Sequence, residues 1–375
     1  MCNNAFCKAP FFYIEVARDG SIYPCCPILS CSFGNIEKEH FDVIWNGEIA
    51  KKFRQSVQLN EYKYCKTQMC NPLNNRYSDK IKLTYSDNDY NLETSYPTFV
   101  KFTHDSHCNI KCITCRDDYQ TNSYDRMQEL NKKIDNLYIP ILKNAQVVSM
   151  CGAGEALASK HCRTLIKRIA EIYPDIKFEI HTNGILCDEK NLKELGILDK
   201  LIGIDVSMHG YNQKTVEKIM VGTNYDLVMK NLKWIASLKK EGMLKSFNFC
   251  YVVNNYNYLE MKDFLKFALD LGADVYFWEY RKWGTSIDKE YDKFAVFEKT
   301  HKNYNKLVKL LEDDLFKDSR CHLQNRLNSL KKITVKEKFK NASKNLFNNY
   351  ILEEKNKKHR VVKIFGIKFK FKVGG

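Results

Sequence analysis

The sequence predicts an α/β chain: a partial (β/α)6 TIM-like barrel, preceded by a small cysteine-rich α+β domain and followed by a basic helical tail with a terminal β-hairpin. Three observations predict it. Six strand-like runs alternate with helical patterns between Pro97 and Gly284, and such alternation builds a parallel sheet. Cysteines crowd the first 94 residues, and the last quarter is lysine-rich. The expected boundaries are 1–94, 95–284 and 285–375.

With 375 residues and 44% hydrophobic content, the chain has length for two or three domains with ordinary cores. No run of 18 apolar residues exists, and Met1-Cys2-Asn3-Asn4 opens neither a basic nor an apolar leader. The expectation is a soluble, cytoplasmic protein. Fifteen cysteines in that setting point to metal ligands rather than disulfides. Net charge is +15, and from Thr285 onward 23 Lys/Arg stand against 11 Asp/Glu, a local +12. A basic tail suits an acidic membrane surface, an anionic substrate or nucleic acid, or is simply a solvated lysine face. No aromatic-interleaved recognition motif supports a specific nucleic-acid partner.

In the first segment, two short alternating runs flank Asp19-Gly20 between Tyr13 and Cys26, a strong hairpin signal. A hairpin there brings Cys7 back toward Cys25 and Cys26. Phe33-Gly34-Asn35-Ile36 leads into a short helix running through Phe53, and Cys65-x4-Cys70 closes the segment.

The six strand-like runs are Phe99–Thr103, Gln146–Met150, Lys177–His181, Leu201–Ser207, Ser246–Val253 and Asp274–Tyr280. Between them Met127, Leu130, Ile134 and Leu137 recur at steps of three and four, as do residues of 165–172, 227–238 and 261–271. In a barrel of parallel strands, chemistry gathers where strands end. After the first run comes His107-Cys108-Asn109-Ile110-Lys111-Cys112-Ile113-Thr114-Cys115, a C-x3-C-x2-C pattern. Three thiolates on a cubane cluster leave one iron open to a chelating small molecule. A zinc knuckle or core cysteines are the alternatives.

The second run ends Met150-Cys151-Gly152-Ala153-Gly154-Glu155. Glycines admit close backbone approach, and a carboxylate accepts hydrogen bonds from an amine. The third ends His181-Thr182-Asn183-Gly184. On the fourth, Asp205 and Ser207 share a strand face, where buried polar groups need partners. His209 follows as a turn histidine or a proton-transfer group, and Val253-Asn254-Asn255 ends the fifth. Cys151, Cys162, Cys187 and Cys250 suit small core positions. The tail carries helical patterning over Asp288–Leu315 and Leu323–Leu330, an isolated Cys321, and Ile/Phe alternating with Lys after Gly366.

The triple-cysteine loop resembles the signature of the radical S-adenosylmethionine (SAM) enzymes. That resemblance implies a [4Fe–4S] cluster on Cys108, Cys112 and Cys115 and SAM as cofactor. Gly154 and Glu155 resemble the family's Gly-Gly-Glu motif at the methionine amino group, although Ala153 and Ala156 depart from its usual Gly and Pro. Asn183, Ser207 and Asn254 are the implied further cofactor contacts, and Thr114 stands where the family usually has an aromatic residue. The C-x12-G-x4-C pattern with a later cysteine pair resembles SPASM/twitch domains. It implies an auxiliary [4Fe–4S] cluster on Cys7, Cys25, Cys65 and Cys70, with Cys26 and Cys31 as replacements. A four-cysteine zinc site is the competing reading. The implied enzyme takes an electron from a reductant such as flavodoxin or ferredoxin and abstracts hydrogen from a peptide, protein or sugar-type substrate. Its chain end weakly resembles proteins of surface-polysaccharide pathways. No acid–base pair is legible, so no catalytic side chain is assigned. The alternative is a non-catalytic iron–sulfur or zinc module for electron transfer or scaffolding.

Overall fold

The computed structural model describes residues 7–28, 30–67, 70, 91–150, 153–282, 284–324, 326–330, 351–355, 359–364 and 367–372. Cys151 and the lysine-rich stretch 331–350 lie outside them. The first strands are β1 (Tyr13–Val16), β2 (Ser21–Tyr23), β3 (Gly34–Asn35), β4 (Phe99–Phe102) and β5 (Lys111–Cys112). There follow β6 (Val147–Met150), β7 (Lys177–Thr182), β8 (Leu201–Ser207), β9 (Met220–Val221) and β10 (Ser246–Val253). The last are β11 (Asp274–Glu279), β12 (Cys321–Leu323), β13 (Ile351–Lys355), β14 (His359–Ile364) and β15 (Ile367–Lys372).

Ten of these form one sheet in the order β12-β11-β10-β8-β7-β6-β4-β1-β2-β3. From β12 to β1 every neighbouring pair is parallel, so those strands end at one edge. Only β2 and β3 run antiparallel. Helices cover one face of the sheet. In the helix Lys160–Ile172, for example, buried Cys162, Leu165, Ile166 and Ile169 form one stripe, and Ser159 caps the start by accepting from the Cys162 N–H at 3.1 Å. Each fully buried Leu or Ile of such a stripe contributes roughly 1.5–3 kcal/mol. Phe249 and Tyr251 of β10 meet Phe264 of the helix Met261–Asp270 with ring centroids 5.2 and 4.8 Å apart.

The other face is polar. Register places Glu15, Lys101, Ser149 and Glu179 in one row, with Asp205 beside Asn248 and Ser207 beside Cys250. Parallel strands buried on both faces are apolar throughout. Here they alternate, and Lys101, Glu179, His181, Asp205, Ser207 and Cys250 are only part-buried.

Three features differ from the sequence expectation. The cysteine-rich segment does not build a sheet of its own: β1 pairs with β4 from Tyr13↔Phe99 to Val16↔Phe102, continuing the central sheet. Periodicity shows a hairpin but not which strand will receive its edge. The tail is not simply helical either, because Cys321–Leu323 pairs in parallel with β11. Three residues are too few to show a period. Lastly, β14 and β15 form the terminal hairpin, but β13 joins it as a third strand.

Arg54, on the helix Glu48–Gln58, ties the N-terminal segment together. It is fully buried, donates to Pro10 O at 2.9 Å, Asn46 Oδ1 at 3.0 Å and Leu92 O at 2.8 Å, and lies 4.3 Å from the Trp45 ring centroid. Among the described residues, no helix is long and apolar enough to cross a membrane.

Candidate active site at the strand ends

β4 ends at Phe102, and the cysteine loop follows. Its base is closed by Cys108 N–H donating to Gln120 O at 2.8 Å, and its tip by Cys115 N–H donating to Cys112 O at 2.9 Å. A two-residue antiparallel ladder holds the middle, with Lys111 opposite Val221 and Cys112 opposite Met220. Cys108 is buried, Cys112 half-buried and Cys115 exposed. Burial pushes the Cys112 thiol well up, and the neighbouring Cys115 and Cys108 sulfurs add to the shift. Cys108 and Cys115 lie close enough to Cys112 to oppose its ionisation, a grouping that suits an iron cluster, which would hold its ligands as thiolates.

The loop after β6 lies directly on this one. A Cβ on Gly154 would fall 2.2 Å from the His107 carbonyl oxygen, so only glycine fits. The next residue donates to that same oxygen, Glu155 N–H to His107 O at 2.7 Å. The Glu155 carboxylate is buried and fully engaged. It accepts from Leu157 N–H at 3.2 Å, the Thr182 hydroxyl at 2.9 Å and Asn183 N–H at 2.6 Å. Burial nonetheless pushes its pKa up.

Glu155 thereby holds the end of β7, where Asn183 donates its side-chain amide to Asn109 Oδ1 at 2.8 Å. The turn is supported from beneath by Asn231, whose amide donates to Gly184 O at 2.9 Å and Ile185 O at 3.0 Å. On β8, Ser207 Oγ lies 2.8 Å from His181 Nε2, and Asp205 accepts from the Asn248 amide at 2.6 Å. Gly154, Glu155 and Asn183 are thus tied to the cysteine loop through His107 and Asn109. Ser207 sits one strand further along. Asn254 is different: its Oδ1 accepts from Tyr256 N–H at 2.8 Å and its amide donates to Val252 O at 3.3 Å, so it stabilises its own turn. His209 is buried and accepts from Val252 N–H at 3.2 Å; burial, then the charge of His181, lowers its pKa to about 4.

In the N-terminal segment burial raises the Cys7, Cys25 and Cys65 thiols, and neighbouring sulfurs add to it: Cys70 at Cys7, Cys7 and Cys65 at Cys25, and Cys7 and Cys70 at Cys65. Cys7 is pushed up to about 11 and Cys65 to about 12. Cys26 also lies near Cys25 and, toward the polar sheet face, near Glu15, Lys101 and Arg281, and Cys31 lies near Cys65. An isolated bridge between Ser30 and Cys65 brings the two halves of the segment together. Among the described residues, no three His, Cys, Asp or Glu side chains are arranged around a single-ion site.

Residues 102–268 match the family model of the radical SAM superfamily, and residues 7–71 match that of SPASM, an iron–sulfur cluster-binding domain. Residues 102–268 thus form a radical SAM domain, which follows a SPASM domain. Family and domain together bring a [4Fe–4S] cluster, SAM and an auxiliary iron–sulfur cluster. The chain is similar to the GTP 3',8-cyclase of Nautilia profundicola, with 22% identity over 212 residues, 55% of this chain and 64% of that one. It is also similar to the GTP 3',8-cyclase of Aquifex aeolicus, with 26% identity over 196 residues, 50% of this chain and 57% of that one. It therefore spans less than two thirds of those relatives' length. Among solved structures, native anSMEcpe with bound AdoMet and Cp18Cys peptide shares 19% identity over 60% of this chain and 62% of that chain, with a TM-score of 0.35. Archaeal TYW1 shares 14% over 53% of this chain and 67% of that one, with a TM-score of 0.28.

Several residues of the radical SAM domain's site carry no signal in the sequence. Asn109 lies inside the cysteine motif, and its side chain marks nothing until Asn183 meets it. Asp105 anchors the start of the loop, accepting from His107 N–H at 3.0 Å and from the Asn122 amide at 3.0 Å. Burial opposes its charge, yet hydrogen bonds from Ser159, His107 and Asn122 hold its pKa below the usual carboxylate value. Arg116 bridges three segments, as described below.

Proposed function

We propose that the chain is a radical SAM enzyme: at a [4Fe–4S] cluster on Cys108, Cys112 and Cys115 it reductively cleaves SAM, and it abstracts hydrogen from a peptide, protein or sugar-type substrate. The observation that carries this reading is the convergence of three strand-end motifs, with Gly154 and Glu155 against His107 and Asn183 against Asn109. Gly154 lets the loop after β6 close on the cysteine loop, and Asn183 ties the end of β7 to the same loop, so the three strand ends surround one space. The polar, part-buried face and the successive parallel strands support an open barrel around that space.

Cys7, Cys25, Cys65 and Cys70 are the ligands we assign to the auxiliary cluster, with residues 1–94 as its domain, 95–284 as the radical domain and 285–375 as the basic extension.

The test is 5′-deoxyadenosine formation by anaerobically reconstituted, dithionite-reduced protein given SAM. Formation by wild type and its loss in Cys112→Ala support the reading. No product from wild type carrying full iron overturns it and favours an electron-transfer module. Cys65→Ser should lower bound iron by the auxiliary share alone.

A further inference from the structure

We propose that Arg116 is a positioning residue that sets the reduction potential of the cluster on Cys108, Cys112 and Cys115, an inference that rests on the cluster reading above. Arg116 follows the third cysteine directly. Its Nη2 lies 3.4 Å from Cys115 Sγ and also donates to the Ala153 carbonyl, while Nη1 donates to the Ser106 carbonyl at 3.0 Å. Ser106 precedes the cysteine loop and Ala153 opens the Gly154-Glu155 loop, so one planar side chain joins three segments. Two carbonyls hold the guanidinium, so it cannot turn away from the sulfur.

Cys115 is the exposed member of the trio. Water alone would give its sulfur a shifting set of hydrogen bonds. Arg116 replaces these with a fixed, charged donor. Reduction adds negative charge to a cluster and its sulfurs, and a fixed cation with a hydrogen bond to sulfur favours that state. Lysine keeps the charge but lacks the fork that reaches three acceptors. The side chain therefore has two separable effects, one electrostatic and one geometric.

The test is a redox titration followed by electron paramagnetic resonance, on reconstituted wild type, Arg116→Gln and Arg116→Lys. A third variant, Arg168→Gln, controls for loss of any arginine, since Arg168 pairs with Asp135 and Glu171 on the surface. We expect a more negative midpoint potential in Arg116→Gln, an intermediate one in Arg116→Lys and no change in Arg168→Gln. An unchanged potential in Arg116→Gln with a full cluster overturns the proposal. So does failure of both Arg116 variants to hold a cluster, which would make the side chain a structural clasp and nothing more. Absence of any cluster from wild type would instead sink the family-based reading, so the two failures are distinct.

Discussion

Asn183 donates to Asn109 at 2.8 Å across 74 residues of sequence, and this single hydrogen bond joins the cysteine loop to the end of β7. If the pair positions SAM, then Asn183→Ala and Asn109→Ala should each weaken its binding, and the double variant should lose less than the sum. The coupling expected for one part-buried neutral hydrogen bond is about 1 kcal/mol. Calorimetric titration of SAM into all four reconstituted proteins measures it; strict additivity would remove the bond from the account.

Gly154→Ala tests the contact with His107. The methyl group has backbone on its far side, so the two loops must separate, at a cost of about 1–3 kcal/mol for overpacking. SAM affinity should fall at least several-fold while iron content stays at the wild-type value. Unchanged affinity would show that the loops yield without consequence.

Asn254→Ala should behave differently. The side chain is fully buried and bonded within its own turn, so its removal should cost stability, about 1–3 kcal/mol, with SAM affinity within about twofold of wild type. A thermal melt and a SAM titration separate the outcomes. Lost affinity at constant melting temperature would make Asn254 a cofactor contact after all.

Behind the cysteine loop, His104 and His161 face each other with Nε2 atoms 2.7 Å apart. Burial lowers His104 to about 3 and His161 to about 4. An unfolded histidine takes its proton near 6.5, so the fold favours the neutral rings. That stability is complete above about pH 6.5 and is lost as pH falls toward 4. His161→Gln should melt at lower temperature at pH 7.5 yet show a shallower decline between pH 6.5 and 4. Parallel declines in the two proteins would place the acid sensitivity elsewhere.

All six core strands were legible in the sequence, because each is long enough to show an apolar run before a turn. Their ends were legible too, which is why the cysteine loop, Gly154-Glu155 and Asn183 meet as expected. What stayed hidden depends on partners distant in sequence. The β5–β9 ladder is two residues long and has no period to detect. Glu155 shows as a carboxylate after glycines, but its engagement by Thr182 and Asn183 appears only once β6 and β7 are adjacent. Asn254 ends its strand as expected, yet nothing in a single Asn distinguishes a ligand contact from a turn.

The pairing of β1 with β4 bears on how this chain can be divided. A fragment beginning at residue 95 would keep the triple cysteine and every core strand, yet it would bare the full hydrogen-bonding edge of β4. Val100 and Phe102 lie on that strand, and an open apolar edge recruits other chains. Such a fragment is expected to aggregate, whereas a cut after β12 leaves β1 through β12 paired. The cysteine-rich segment is thus an edge guard for its neighbour as well as a metal carrier.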